Sequence, residues 1–295
     1  HHYASVALRS KIFRLYRDGV KIVDEVGDYN APPINTHASN FGGEAALDLD
    51  ELRIYDRALT AAEVQALYDA APPIPEWVSG LALWLDATDV DGDGDADSLA
   101  DGASVSLWAD KSGNDRDANQ SDPNATFTYR AGTAETMPGL VLDGSNDYMQ
   151  IFDADMQAEH IFAVALMDEN TADYSPLIDA NGGPMIRKSI GAKLQKANSL
   201  DFSFPDGDFL INGESKLDYT YGVLNVLAAG KGSSSDAGGF FSKIELGRDA
   251  RTESSRHWKG EIVEILIYGR ALSTEEIDRI QRYLGSKWGV TIQSE

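Results

Sequence analysis

The sequence predicts an all-β protein, an antiparallel β-sandwich or jelly roll with a short helix at the end of each of two units. Short runs rich in β-branched and aromatic residues recur along the 295-residue chain, and turns of Gly, Asn and Asp separate them. Their short, irregular spacing is typical of sandwiches and jelly rolls. One phrase also occurs twice, as IYDRALT at 54–60 and IYGRALS at 267–273, each time before a predicted helix.

The first unit is predicted to occupy residues 1–70. It opens with three strand-like runs, YASVAL, IFRLY and VKIVDEV. Asp18 and Gly19 lie between the last two runs and predict a tight hairpin turn, because both residues tolerate a positive φ. A loop rich in Pro, Asn and Gly follows. The run ALDLDELRIY at 46–55 then predicts a strand that carries the first copy of the repeated phrase.

A linker and a second, longer unit follow. Residues 71–77 contain APPIPE and predict a stiff, extended linker, because proline fixes φ and cannot donate a backbone hydrogen bond. The second unit is predicted over residues 78–295. Its strand-like runs are LALWLDA, ASVSLWAD, ATFTYRA, GLVLDG, YMQIF, HIFAVALM, LDFSF, GVLNVLAAG, FSKIELG and EIVEILIY.

Each unit is predicted to close with a capped helix. Thr60 and Glu63 have the spacing of a capping box in the first unit, as Ser273 and Glu276 have in the second. Gly289 is the predicted end of the second helix. Apolar residues at helical spacing predict the buried sides, namely Val64, Leu67 and Tyr68 in the first helix and Ile277, Ile280, Leu284 and Trp288 in the second.

These phrases resemble those of laminin-G-like domains, which belong to the concanavalin A-like jelly rolls. SKIFRLYRDGVKI and LDELRIYDRALTAAEV are similar to the closing half of such a domain. Residues 78–290 resemble a whole one, from LALWLDATD through VSLWADKSGNDRDANQ and PGLVLDGSNDYMQI to GEIVEILIYGRALSTEEIDRIQRYLGSKWGV. The first unit lacks the opening strands, so it is expected to be the C-terminal half of an incomplete domain.

The resemblance implies two antiparallel sheets packed face to face, in multidomain extracellular proteins that bind carbohydrate or protein partners. It implies no single ligand. An extracellular or cell-surface location is therefore expected, with neighbouring repeats of the same protein or self-association as further possibilities for partners.

The amino-acid composition limits the classes of partner that the protein can bind. The chain has 25 Lys and Arg against 48 Asp and Glu, a formal net charge of −23. Such a surface repels nucleic acid and anionic membranes and favours divalent cations or neutral partners. The absence of cysteine excludes disulfides, thiolate nucleophiles and Cys-ligated metal sites. No apolar run approaches the ~18 residues of a membrane span, so membrane insertion is not expected.

The sharpest chemical motif is DVDGDGDADS at 89–98. In a calcium loop, oxygens from positions 1, 3, 5, 7 and 9 surround the ion, and a glycine at 6 permits the sharp turn. Gly94 occupies position 6 if Asp89 is position 1. The oxygen positions then fall on Asp89, Asp91, Asp93, Asp95 and Asp97.

Position 12 is Ala100 instead of the bidentate Glu of an EF-hand, so the loop resembles thrombospondin type 3 and dockerin-like calcium loops more closely. Asp101 is a candidate to complete the shell. The alternative is an acidic, solvated turn, but so many carboxylates would repel one another without a cation. The sequence therefore predicts a structural Ca²⁺ within residues 89–101.

Weaker signals point to a ligand-binding rim. Asp143 and Asp147, in the loop DGSNDY, are candidates for a second cation or for ligand contact, and KGSSSDAGG at 231–239 is a second rim loop. Trp258 has the basic neighbours Arg256, His257 and Lys259, which makes it the better candidate for a surface contact, although a place in the core is favoured for it too. A Trp in an apolar run is more often core, as expected for Trp84, Trp108 and Trp288.

Catalysis is not expected. Zinc-protease, nucleophile-elbow, P-loop and dinucleotide motifs are absent from the sequence. A retaining glycosidase needs two carboxyl groups about 5 Å apart. Glu261 and Glu264 are three residues apart on one predicted strand and should point to opposite faces. Asp48 and Asp50 share a face, but the second unit does not repeat that pair.

The sequence thus favours a non-catalytic adhesive or structural module of a large secreted or cell-surface bacterial protein, stabilised by calcium and binding carbohydrate or protein. The alternative is an ancillary carbohydrate-binding module of a polysaccharide-degrading enzyme.

Overall fold

In a computed structural model, the chain divides into two compact units, His1–Pro72 and Pro73–Glu295. The structure describes residues 3–8, 12–17, 20–26, 59–64, 78–95, 97, 99–133, 136–180, 183–195, 209–230, 239–249 and 256–293. Several predictions lie outside these residues: the linker at 71–77, the strands in ALDLDELRIY and LDFSF, most of the loop KGSSSDAGG, and the helical positions Leu67 and Tyr68.

The described part of the first unit contains one antiparallel sheet. Its strands are β1 (Tyr3–Leu8), β2 (Ile12–Arg17) and β3 (Val20–Val26), paired in that order. Arg17 lies opposite Val20, which confirms the predicted hairpin. The residues at 61–64 are helical, and the predicted capping box is present: the Thr60 amide donates to Glu63 at 2.8 Å, and the Glu63 amide donates to Thr60 Oγ1 at 3.2 Å.

The described part of the second unit forms a sandwich of two antiparallel sheets with one C-terminal helix, so the predicted fold class is confirmed. Its strands are β4 (Leu81–Asp86), β5 (Ser104–Val105), β6 (Leu107–Trp108), β7 (Ala118–Asn119), β8 (Phe127–Arg130), β9 (Gly139–Asp143), β10 (Met149–Ala158), β11 (His160–Met167), β12 (Pro176–Ala180), β13 (Gly183–Lys188), β14 (Leu194–Gln195), β15 (Phe209–Ile211), β16 (Glu214–Ser215), β17 (Leu224–Gly230), β18 (Gly239–Leu246) and β19 (Lys259–Tyr268). Within the described residues, one sheet has seven strands in the order β14-β13-β12-β18-β10-β7-β6. The other has nine, in the order β16-β15-β17-β11-β19-β9-β8-β5, with β4 paired to β19.

The core lies between these two sheets. Alternate residues of β10, Met149 and Ile151, are fully buried, while Gln150 between them is only half-buried. Leu140 and Leu142 of β9 contribute from the nine-stranded sheet. The tryptophans predicted as core are buried, namely Trp84, Trp108 and Trp288.

Helix α1 (Thr274–Trp288) packs on the outside of the nine-stranded sheet, against β17 and β11. Ser273 and Glu276 form the predicted capping box, and Gly289 ends the helix at φ 68°, a left-handed conformation that suits glycine. The predicted side of the helix is buried through Ile280, Leu284 and Trp288. No helix in the described part of the chain is long and apolar enough to cross a bilayer.

A β-bulge in β19 overturns one prediction. Glu264 lies opposite Val164 of β11, and Glu261 lies opposite Leu166, so a step of three residues on β19 matches a step of two on β11. Both glutamates therefore face the same side of the sheet. The prediction that they point to opposite faces is wrong, because it assumed uninterrupted strand alternation.

Candidate functional site

The acidic loop at residues 89–98 follows β4, and backbone hydrogen bonds hold both of its ends in place. The Asp97 amide donates to the Thr88 carbonyl at 3.0 Å, and the Ala109 amide donates to the carbonyl of the buried Val90 at 2.8 Å. Gly94 has φ 92°, the left-handed conformation that the predicted turn requires. The fold thus closes the loop on itself and brings its carboxylates together.

Three of the predicted ligands converge. Asp89, Asp91 and Asp97 each contribute a carboxylate oxygen to a group in which these atoms lie within 4.8 Å of one another. Asp89 is only 3% exposed, and its Oδ1 has no hydrogen-bond partner. Leaving a buried carboxylate oxygen without a partner is costly, and a cation would satisfy it. The residues present therefore fit a metal ion.

The other three predicted ligands lie outside this group. Asp93 Oδ1 accepts a hydrogen bond from the Asp95 amide at 2.8 Å, and Asp95 itself is exposed. Asp101 Oδ1 accepts from the Ala131 amide at 3.0 Å. The contact at Asp93 orders a local turn, and the contact at Asp101 joins the end of the loop to the residue that follows β8.

Repulsion between the loop carboxylates is evident at Asp97. Burial raises the pKa of Asp97, and the nearby charges of Asp91, Asp89 and Asp93 raise it further, against a hydrogen bond from the Val90 amide that lowers it. A bound cation would reverse the effect of the neighbouring charges.

Lys111 is part of this site, and the sequence reasoning missed it. Its Nζ lies 2.7 Å from Asp89 Oδ2 and 3.3 Å from Asp86 Oδ2. Burial alone would lower the pKa of Lys111, but the carboxylates of Asp89 and Asp86 outweigh it and raise that pKa. Lys111 thus neutralises one side of Asp89 and leaves the Oδ1 side to the acidic group.

Next to the loop, a buried ionic cluster ties α1 to the sandwich. Lys287 Nζ lies 2.8 Å from Asp86 Oδ2 and 2.9 Å from Glu264 Oε2. Glu264 is fully buried and accepts hydrogen bonds from Trp84 Nε1 at 2.9 Å and Trp288 Nε1 at 2.5 Å. Burial raises the pKa of Glu264 despite Lys287. Both carboxylates are almost completely shielded from solvent and Lys287 is 16% exposed, so the contribution of this cluster is structural.

The predicted rim residues have structural contacts. Asp147 Oδ2 accepts from the Asp143 amide at 2.8 Å, and Asp143 Oδ1 accepts from the Ser145 amide at 2.7 Å. Trp258 is fully buried and donates from Nε1 to the Leu166 carbonyl at 3.2 Å. Trp258 is therefore a core residue, which is the favoured expectation, and its candidacy as a surface contact is wrong.

The outer face of the seven-stranded sheet carries a second candidate site. A row of side chains in register crosses five strands on this face. In order from β6 to β12 they are Leu107, Asn119, Gln150, Glu245 and Asp179. Two residues from Gln150, Phe152 lies on the same face opposite Lys243 and is 66% exposed.

Glu245 organises the side chains around it. It accepts hydrogen bonds from Gln150 Nε2 at 2.6 Å and from Arg248 Nε and Nη2 at 2.8 and 3.0 Å, and it pairs with Lys243. The Arg248 guanidinium carbon lies 3.3 Å from the centre of the Tyr148 ring. Burial would raise the pKa of Glu245, but these hydrogen bonds outweigh it and lower that pKa. We call this set the Glu245 platform: Tyr148, Gln150, Phe152, Lys243, Glu245 and Arg248.

No family model matches the chain, and no curated protein matches it. Among solved structures, it is similar to a Trypanosoma rangeli sialidase in complex with sialic acid, at 14% identity and a TM-score of 0.45, over 71% of this chain and 33% of the sialidase. It is also similar to domain 4 of AbnA, an extracellular arabinanase of Geobacillus stearothermophilus in complex with arabinotriose. That match has 14% identity and a TM-score of 0.41, over 69% of this chain and 98% of that domain. At this level of similarity no activity or ligand is transferred to this chain.

Proposed function

We propose that the second unit is a non-catalytic carbohydrate-binding module that works outside the cell and is stabilised by calcium. The supporting observation is the contrast between its two outer faces. Helix α1 packs over the nine-stranded sheet, whereas the seven-stranded sheet carries exposed Leu107 and Phe152 beside amide and charged side chains. Apolar surface with a few polar groups placed around it is typical of ligand sites.

The size of this face suits an extended ligand. The accessible part of this face, from Leu107 through Asn119 and Gln150 to Lys243, spans four neighbouring strands, which are about 4.8 Å apart. It therefore extends for roughly 14 Å across the sheet. A polysaccharide segment can lie along such a row, whereas a small metabolite would contact only part of it.

The carboxylates of the second unit favour binding over hydrolysis. Glu261 and Glu264 share a face, but Glu264 is fully buried under α1. Glu261 is held by Arg130, whose Nε and Nη2 donate to it at 2.9 and 2.8 Å. On the opposite sheet, Asp179 and Glu245 are also fully buried. None of these four has the free, facing geometry of an acid and a nucleophile.

Calcium is the proposed ion at Asp89, Asp91 and Asp97. A hard divalent cation with flexible coordination takes carboxylate and backbone oxygens, and it tolerates a loop that supplies only part of its shell. The buried, unpartnered Oδ1 of Asp89 supports this assignment. The ion would hold the loop that follows β4 and so stabilise the sandwich.

Affinity electrophoresis of the whole chain in gels containing different polysaccharides tests the function. We expect at least one polysaccharide to retard the chain while no reducing sugar ends appear after long incubation. Association into fibres or layers without retardation by any glycan would favour the adhesive or structural role instead. Release of reducing ends would overturn the non-catalytic assignment.

A further inference from the structure

We propose that the Glu245 platform is a subsite for an acidic glycan, whose sugars carry carboxylate groups as uronic acids do. This inference rests on the proposed function, because it names the class of sugar that the open face binds.

The exposed ring of Phe152 supplies the apolar part of the subsite. It lies on the open face, and Lys243 Nζ is 5.6 Å from the centre of the ring. An exposed aromatic ring is costly in water and suits the apolar face of a sugar ring. A sugar stacked here would bring its substituents next to Lys243.

Among the described residues, the accessible charged groups of the platform are cations. The side chains of Lys243 and Arg248 are 33% and 27% exposed, whereas that of Glu245 is 1% exposed. Lysine and arginine donate hydrogen bonds and accept none. A ligand on the platform therefore meets two cations, while the carboxylate that holds them lies beneath, with its oxygens already bonded. Carboxylate oxygens on the ligand would form charge-assisted hydrogen bonds there.

The donors are fixed before any ligand arrives. Glu245 binds Arg248 through two nitrogens, and the guanidinium stacks on Tyr148. Gln150 is held by the same carboxylate at 2.6 Å. Side chains already held in one geometry lose little conformational entropy on binding, which favours a specific site over a loose charged patch.

Other charges near the platform do not remove this preference. Asp179 lies beside Glu245 on β12 and is fully buried. Arg256 is paired with the buried Asp249 at 3.6 Å, so neither of these two charges is left uncompensated. The net charge of −23 repels polyanions at long range, but at physiological salt such repulsion is screened beyond about 8 Å. Direct contacts of the ligand with Lys243 and Arg248 therefore determine whether an acidic glycan binds.

Isothermal titration of the whole chain with short oligouronates tests the inference, in galacturonate, glucuronate and mannuronate forms. Each oligomer is compared with its methyl ester, which has the same rings without the charge. We expect at least one oligouronate to bind about tenfold more tightly than its ester. Phe152→Ala, Arg248→Gln and Lys243→Gln should each weaken that binding about tenfold, while Phe152→Tyr keeps it.

Matched controls lie next to strands β16 and β17 of the other sheet. Val223→Ala removes a similarly exposed apolar side chain, and Lys216→Gln removes an exposed charge, so both should bind like the wild type. Melting curves show whether a platform variant has failed to fold. If Arg248→Gln does not fold, the oligouronate affinities of Lys243→Gln and Phe152→Ala still test the subsite. Equal affinity for acid and ester, or unchanged binding in the platform variants, overturns the inference but leaves the proposed function standing. Failure to bind every glycan overturns the proposed function itself.

Discussion

Asp89 and Asp147 are both buried carboxylates, but they stand in different electrostatic surroundings. Asp89 lies 2.7 Å from the ammonium group of Lys111. Asp147 instead accepts a hydrogen bond from the Asp143 amide, and burial together with the charge of Asp143 raises its pKa to about 6. A raised pKa means that the folded protein favours the protonated form of Asp147.

This shift makes stability depend on pH in a defined direction. Between the ordinary pKa of 3.8 and about 6, the folded chain keeps a proton on Asp147 that the unfolded chain has lost. Stability from this group is therefore fully present below pH ~4 and is lost as the pH rises through about 6. Asp147→Asn keeps an acceptor for the Asp143 amide without the charge. We expect this variant to exceed the wild type in stability by on the order of 1 kcal/mol at pH 7.5 and by little at pH 4.

Urea unfolding at the two pH values, followed by tryptophan fluorescence, measures this difference. Asp218→Asn is the control, because Asp218 is exposed and lies 3.8 Å from Lys193. A wild type and variant that differ equally at both pH values would show that Asp147 does not titrate as described.

The sequence pattern located the acidic loop but could not supply its non-local partner. Alternating Asp and Gly residues lie within one short stretch, so their spacing alone predicts a cation site. Lys111 follows Asp89 by 22 residues, and only the folded sandwich brings the two together. For Trp258, the basic neighbours in the sequence suggested a surface contact, but the folded protein buries the indole completely.

At the scale of elements, the two strands β12 and β13 were not predicted from the sequence, because each contains a proline. β12 begins at Pro176, and β13 contains Pro184 near its start, opposite Asp179 where the register shifts. Proline within a run argues against a strand, because it cannot donate to the ladder. Here both prolines occupy positions that tolerate them. The long apolar runs of β11, β17 and β19 and the capped helix α1 were predictable because their local signals agree with the fold.

The attachment of α1 depends on Lys287, which pairs with Asp86 and Glu264. Lys287→Met removes the buried cation, so Glu264 must either stay charged without a partner or take up a proton, and breaking such a buried pair costs about 3–5 kcal/mol. We expect chemical unfolding to show a loss of this order. Adding Glu264→Gln should recover part of the loss, because the amide is uncharged, although only one of the two indole N–H groups can then bond to its oxygen.

Lys216→Met is the matched control, since it removes the lysine of an exposed pair with Glu214 and should cost less than about 1 kcal/mol. If the double variant were no more stable than Lys287→Met alone, the loss would arise from packing of the lysine stem and not from the buried charge.

At the scale of the whole molecule, the two units can be observed separately. All five tryptophans of the sequence lie in the second unit, at positions 77, 84, 108, 258 and 288. Their fluorescence therefore follows the sandwich without interference from the first unit. The acidic loop follows the first strand of that sandwich, so a cation bound there should stabilise this unit in particular.

Calcium should consequently raise the melting temperature reported by tryptophan fluorescence. Binding to the folded state alone contributes about 2.7 kcal/mol at a concentration 100-fold above Kd, which corresponds to about 5–10 °C for a unit of this size. Chelation should lower the midpoint by that amount.

Asp97→Asn should reduce the calcium-dependent shift, because it weakens one of the three converging ligands, while the exposed Asp218→Asn should preserve it. Magnesium should give a smaller shift, since it requires a tighter octahedral shell than this flexible loop supplies. Identical midpoints with calcium and with chelator would contradict the calcium site. They would mean that Lys111 alone compensates the negative charge of the loop and that the buried Oδ1 of Asp89 is tolerated without a cation.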